Sequence, residues 1–357
     1  MSTKRVYNFH PGPAAMPLEV LEKFKNSFMD FEGMSIFEIS HRSQKFISIL
    51  NETRKLFKDL LNIPDNYYIL FLQGGAALQF SMVPLNLMDK TADYIVTGNW
   101  SKQALADANI VGEPNVAFSS EKTNFDHVPF PDQIKLSLDS SYVHLTSNNT
   151  IYGTQYQHFP ETQTLPLIAD MSSDILSKPI DVSKFGLIYA GAQKNVGPAG
   201  ATIVIIRDDL VKTSYRNLPG YLRYDNHVKN ESLYNTPPVG AIYLILLNLE
   251  WLQKNGGLKN MAKINEQKAK MLYAVIDETD FYQGTAQKES RSFMNVTFTL
   301  PSTELTEEFI AKAKEHNIVG LKGHRSVGGI RASIYNAVTL EAVEALTKFM
   351  RKFREGK

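Results

Sequence analysis

Six short apolar runs constrain this chain more than any other feature: Tyr67–Leu72, Asp93–Thr97, Tyr142–Thr146, Pro166–Asp170, Gly186–Ala190 and Ala201–Arg207. Most are continuous rather than alternating. A strand with one wet face alternates, whereas a strand buried on both faces reads as an unbroken apolar run. Helical patterns fall between several of the runs. Together they predict an α/β layer architecture, a mainly parallel sheet covered by helices.

The last third is patterned differently. Leu258, Met261, Ile264, Met271 or Leu272, and Val275 lie at helical spacing, and Phe293–Leu300 reads as a strand. Leu340, Val343, Leu346, Met350 and Phe353 form one apolar helical face, with Thr339 as its expected N-cap. A long helix from about Pro238 to Lys254, with Thr236 as N-cap and Pro237 in its first turn, should stop at Asn255-Gly256-Gly257. The expected organisation is a large α/β domain over 16–256 and a smaller α+β domain made of 1–15 and 257–357, which suits a chain of 357 residues.

Composition narrows the function. Lys+Arg is 38 and Asp+Glu is 37, so the net charge of +1 draws the protein neither to nucleic acid nor to anionic membrane. Any anion must be held by a local cluster of donors. Cysteine is absent, which removes disulfides, thiolate metal sites and thiol nucleophiles. The longest apolar stretch, Val239–Leu249, is far short of the ~20 residues that span a bilayer, and no apolar leader follows the basic N-terminus. The expectation is a soluble, cytoplasmic protein without a metal, since no HExxH or paired-histidine spacing occurs.

Four segments carry candidate chemistry. In Tyr189-Ala190-Gly191-Ala192-Gln193-Lys194-Asn195-Val196-Gly197, small residues surround one lysine between two apolar strands. Lysines are ordinarily solvated surface groups, but a crowded, desolvated one loses its proton near neutral pH and can form an imine. Asp170 ends an apolar strand, where α/β sheets present functional groups, although a strand-end turn uses the same residue. An aspartate facing a pyridinium nitrogen and an imine-forming lysine are what pyridoxal phosphate needs. Gln73-Gly74-Gly75-Ala76-Ala77 joins a strand to a helix and offers free N–H groups at the helix start, as any plain strand–turn–helix connection also does. Trp100 follows another strand end and has an aromatic face for stacking, or for a core. Finally His41-Arg42, His324-Arg325 and Arg331 give two His-Arg pairs and a further arginine beside glycines, donors that match a substrate with an anion at each end.

With these residues in view, the sequence resembles the phosphoserine aminotransferases, in the class V pyridoxal-phosphate-dependent aminotransferase family. The likeness runs from Asn8 nearly to the C-terminus, through SHR at 40–42, QGG at 73–75, GNW at 98–100, SSDILSKPIDVSKFGLIYAGAQKNVGPAG, NTPP at 235–238, LKGHRSVGG and IRASIYNA. The resemblance implies pyridoxal-phosphate transferase fold type I, pyridoxal 5'-phosphate as cofactor, and a homodimer with cofactor sites at its interface. It further implies Lys194 as the imine-forming lysine, Asp170 against the ring nitrogen, Trp100 stacked on the ring and Thr150 near its phenolic oxygen. Ala76, Ala77 and Gln193 would hold the phosphate, with Asn235 and Thr236 reaching over from the partner subunit. Arg331 would grip the α-carboxylate, and His41, Arg42, His324 and Arg325 the distal phosphate or γ-carboxylate. The implied reaction is amino transfer between L-glutamate and 3-phosphohydroxypyruvate in serine biosynthesis, with a vitamin B6 precursor as a further candidate substrate. Some members have arginine where this chain has Ala77, so one direct contact to the substrate phosphate is expected to be missing. Of the rivals, a cysteine desulfurase needs the thiol this chain lacks. An alanine–glyoxylate type aminotransferase has little use for two His-Arg pairs. Nothing in the sequence suggests a silent binder that has lost its machinery.

Overall fold

The computed structural model describes residues 5–212 and 216–357. Seven strands form the central sheet: β1 (Tyr67–Leu72), β2 (Asp93–Val96), β3 (Asn115–Ser119), β4 (Val143–Thr146), β5 (Leu167–Asp170), β6 (Phe185–Gly191) and β7 (Thr202–Arg207). Their order across the sheet is β1-β7-β6-β5-β4-β2-β3. β7 pairs antiparallel with both β1 and β6, and the pairs from β6 to β3 are parallel. All strands but β7 therefore end at one edge, so the segments after Leu72, Val96, Thr146, Asp170 and Gly191 emerge side by side. The six apolar runs became six of these strands. β3 went unread because it is a sheet edge, with Val116 half-exposed and little apolar signal.

Burial on both faces explains the unbroken runs. One face packs Ile69, Phe71, Leu145, Ala169, Ile188 and Ile203 against the helices Gln44–Leu61 and Val239–Lys254. The other packs Leu70, Val96, Ile168, Leu187, Val204 and Ile206 against the helices Gly75–Leu87 and Asn99–Val111. Ser43 starts the first of these helices by accepting from the Phe46 N–H, and Asn62, at φ 50°, ends it. The helix Val239–Lys254 differs from expectation at its start. Pro238 is the N-cap and makes no side-chain cap bond, so Thr236 lies two residues outside the helix and does not cap it. Two prolines in succession keep residues 236 and 237 extended.

A second core gathers around a small antiparallel sheet ordered β8 (Gln283–Gly284), β9 (Asn295–Thr299), β10 (Ile330–Ser333). The helices Thr303–Glu315 and Leu340–Glu355 and the second half of Gly257–Ile276 cover it. Phe9 is buried in this core, and Tyr7–Asn8 pairs parallel with Ile318–Val319, so residues 7–9 pack with this second core. Leu258 and Met261, at the start of the helix Gly257–Ile276, pack into the first core instead, which makes that helix a bridge between the two. Among the described residues no helix is long and apolar enough to cross a membrane, and no group of His, Asp and Glu is arranged to hold a metal ion.

Thr339 accepts from the Ala342 N–H at 3.2 Å and starts the terminal helix, whose Val343, Leu346 and Met350 are fully buried. Thr339→Ala should cost about 1 kcal/mol of stability by loss of that cap, read as a lower urea midpoint at unchanged slope and unchanged turnover.

Candidate active site

The strand ends build the site. β5 and β6 are parallel neighbours with Asp170 opposite Tyr189, so Lys194, three residues past the end of β6, returns to the edge where Asp170 ends β5. Ser172 ties the two ends together. Its Oγ donates to Asp170 Oδ1 at 2.6 Å and accepts from the Gly191 N–H at 3.1 Å, while its N–H donates to the same carboxylate oxygen at 2.9 Å. Beyond β2, Gly98 starts the helix that carries Trp100, whose Nε1 donates to Thr150 Oγ1 at 3.1 Å. The Lys194 Nζ stands 5.7 Å from the centre of the Trp100 ring. Beyond β1, Gly74 and Gly75 take φ +84° and +65°, a left-handed pair that turns the chain abruptly into the helix Gly75–Leu87. The N–H groups of that first turn have no intrahelical acceptor and point positive charge outwards.

These groups enclose a cleft of about 470 Å³ lined by Gly74, Gly75, Ala76, Ala77, Trp100, Gln103, Thr150, Asp170, Ser172, Gln193 and Lys194, with Pro11, Gly12, Phe80, His324 and Arg331 closing it. Arg331 arrives from β10 on the second core. It is buried, donates through Nη1 to the Thr150 carbonyl at 3.3 Å, and leaves Nε shielded from water without an acceptor. A guanidinium that lines the cleft with a donor left unpaired is suited to recognition of an anion. Burial lowers the Lys194 pKa; Asp170 opposes that shift and Arg331 adds to it. Burial likewise raises the Asp170 pKa against the pull of Lys194 and the Ser172 hydrogen bonds.

The class V aminotransferase family model matches residues 6–346. Phosphoserine aminotransferases of Halalkalibacterium halodurans and Bacillus subtilis are 53% and 52% identical to the chain, the first over 98% of each sequence and the second over 99% of each. The chain belongs to the phosphoserine aminotransferases of the class V aminotransferase family. The solved structure of the phosphoserine aminotransferase from Bacillus circulans superposes with a TM-score of 0.97 at 50% identity, covering 99% of both chains. A PLP-bound phosphoserine aminotransferase from Trichomonas vaginalis superposes at 0.93 with 39% identity, over 97% of this chain and all of that one. An alanine–glyoxylate aminotransferase from Nostoc, at 16% identity and 0.76, shares the fold alone.

For a class V aminotransferase, the cleft gathers Ala76, Ala77, Trp100, Thr150, Asp170, Gln193, Lys194, His324 and Arg331 from distant parts of the sequence. It does not gather the rest. Arg325 is exposed and lines a neighbouring hollow with Lys322 and Thr299. His41 and Arg42 sit in the turn before the helix Gln44–Leu61, away from the cleft, with His41 Nε2 buried and unpartnered. Asn235 donates to Gln73 Oε1 at 2.8 Å, and Thr236 is exposed. Sequence reasoning missed Ser172 and Gln103. An Asp two residues before a Ser at a strand end is an Asx-turn signature that points to Ser172. Gln103 lies one helical turn after Trp100 and so shares its face.

Beneath the cleft, on the same sheet face as Asp170, His144 of β4 is fully buried. Its Nε2 pairs with the Tyr189 hydroxyl at 2.9 Å and its Nδ1 has no partner. Burial pushes its pKa from 6.5 down to about 3. The unfolded chain therefore takes the proton first as pH falls through 6.5, and stability is lost progressively down to about pH 3. Between pH 6.5 and pH 5 this one group should remove about 2 kcal/mol. A His144→Gln variant should accordingly lose about 2 kcal/mol less than the parent over that interval in urea unfolding. Equal losses would mean that the folded protein protonates this imidazole.

Proposed function

We propose that the chain catalyses reversible transfer of an amino group between L-glutamate and 3-phosphohydroxypyruvate, a step of serine biosynthesis, with pyridoxal 5'-phosphate as cofactor. One observation carries this reading: a pKa-lowered lysine and a buried carboxylate at neighbouring strand ends, covered by an indole and faced by an arginine with an unsatisfied donor.

The residues present fit the cofactor. The N–H groups at Ala76 and Ala77, together with Gln193, would hold its phosphate, because a helix N-terminus favours an anion. Asp170 would keep a proton at the ring nitrogen, Trp100 would cover one ring face, and Thr150 would stand beside the phenolic oxygen. Once bound, the ring supplies the electron sink that lets a proton leave Cα. The chain's own contribution is proton handling and orientation. Lys194 Nζ, made less basic by burial, would take the proton from the substrate Cα and, as an ammonium, deliver it to the cofactor's C4′ carbon. Arg331 receives the α-carboxylate shared by both substrates, in a bidentate pair that aligns Cα with Lys194. His324 meets the distal anion, a γ-carboxylate in one half-reaction and a phosphate in the other.

A homodimer completes the site in this reading. Asn235, Thr236, His41 and Arg42 stand off the cleft of their own chain, and a second copy would bring them to it. Phe28, Met29, Met34 and Phe37 are half-exposed or more in the segment leading to His41, an apolar patch suited to burial against another subunit.

Three measurements test the reading. Borohydride reduction of the protein loaded with pyridoxal phosphate should leave the pyridoxyl group on the peptide containing Lys194, and recovery of it on another lysine would overturn the assignment. Arg331→Gln should lower kcat/KM for both substrates on the order of a hundredfold. Arg42→Ala should weaken 3-phosphohydroxypyruvate about tenfold more than glutamate, because the phosphate carries the larger charge. Equal losses would remove Arg42 from the distal-anion site.

A further inference from the structure

Among the described residues outside the cleft, one cation is buried with no carboxylate beside it. Lys268, on the helix Gly257–Ile276, is fully shielded from solvent. Its Nζ donates to the main-chain carbonyls of Ile334 at 2.8 Å, Tyr335 at 2.7 Å and Val338 at 3.0 Å. An ammonium has three protons, and here all three go to a single turn. Burial lowers the Lys268 pKa to about 7, while three carbonyl dipoles aimed at the nitrogen favour the charged form. A side chain needed only to fill this space would be apolar, since a buried charge is costly. What sets lysine apart at this position is its donors.

The turn it holds has two attachments. It follows directly on β10, which carries Arg331. It also carries Asn336, whose main-chain N–H donates to Asn195 Oδ1 at 3.0 Å and whose Nδ2 donates to the Leu176 carbonyl at 2.9 Å. Asn265, one turn before Lys268 on the same helix, donates to Asn336 Oδ1 at 2.8 Å. Asn195 is the residue after Lys194, and its own Nδ2 is fixed to the Ile175 carbonyl at 2.8 Å. The carboxylate anchor and the base thus come from different cores and meet through this turn.

We propose that Lys268 is a positioning residue for the transamination: by fixing the 334–338 turn it sets, through Asn336 and Asn195, where Arg331 stands relative to Lys194. This rests on the reading of Arg331 as the α-carboxylate anchor and Lys194 as the base. Lys268→Met keeps the length of the side chain and removes its donors. In that variant KM should rise on the order of tenfold for both substrates and kcat should fall, because both α-carboxylates meet the same displaced arginine. Hydrogen exchange, which needs no turnover, should quicken at residues 192–197 as well as at 334–338. A lowered melting temperature with unchanged kinetics, or faster exchange confined to 334–338, would overturn the proposal. If Lys268→Met does not fold, Asn195→Ala leaves the ammonium and its turn in place and should give the same paired rise in KM; unchanged KM values would overturn the proposal. Arg331→Gln measured alongside separates the two layers. Should it leave both KM values untouched, the α-carboxylate reading fails, and the exchange result alone then judges the coupling.

Discussion

The pairing of β5 with β6 is the constraint on which the site depends. Parallel neighbours end at the same edge, so an acid that closes one strand and a lysine just past the other cannot avoid sharing a cleft. Each shifts the other's proton affinity, yet no salt bridge among the described residues joins them. Direct contact would hold both charges in one shut pair and leave the amine protonated. Ser172 fixes one carboxylate oxygen through both its N–H and its Oγ, which sets the orientation of the carboxylate at the strand end. Without an ion pair between them, the carboxylate and the amine are each available to a bound group.

The sheet beneath is held to the same tolerance by polar groups as well as apolar ones. Tyr94 and Tyr142 share a hydrogen bond at 2.7 Å, His144 stacks on Tyr94, and His144 bonds Tyr189, the register partner of Asp170. These contacts link β2, β4 and β6 across the floor of the cleft. A purely apolar floor would pack as densely but would tolerate small slips, whereas buried hydrogen bonds are lost when geometry shifts. The junction with the second core is built likewise. Asn148 donates to Asn295 Oδ1 at 2.7 Å, Asn295 donates to Ser333 and Tyr335, and the Tyr335 hydroxyl donates to the Pro11 carbonyl. Arg331 lies two residues before Ser333 on β10, so its placement inherits the order of this junction.

The large sheet was legible because burial on two faces writes itself into sequence as unbroken apolar runs. Lys194 and Asp170 stand out in the sequence because one follows such a run and the other closes one. Edge and tertiary features were not. β3 is half-exposed and carries little pattern, and the start of the helix after Pro238 was misplaced because Thr236 looks like a cap while two prolines keep it extended. Lys268 looks like any helical lysine, since its burial comes from helix packing and its partners are carbonyls more than sixty residues away. Ser172 and Gln103 act through positions relative to Asp170 and Trp100, and those relations become visible only once the strand end and the helix are placed.

The separation of His41, Arg42, Asn235 and Thr236 from the cleft has a physical reading that sequence cannot supply. A motif shows which residue types are present but not which chain's cleft they serve. In the proposed dimer the two unexplained features, donors without a substrate and apolar side chains without a cover, have one cause. Arg42 is exposed and His41 holds a buried, unpartnered nitrogen, and both continue the segment whose Phe28, Met29, Met34 and Phe37 meet solvent. Docking that segment against a second copy would bury the apolar patch and deliver the cations in the same step. Affinity for the distal anion and association of the subunits would then be linked, because a substrate that binds only the completed site stabilises the assembly that completes it.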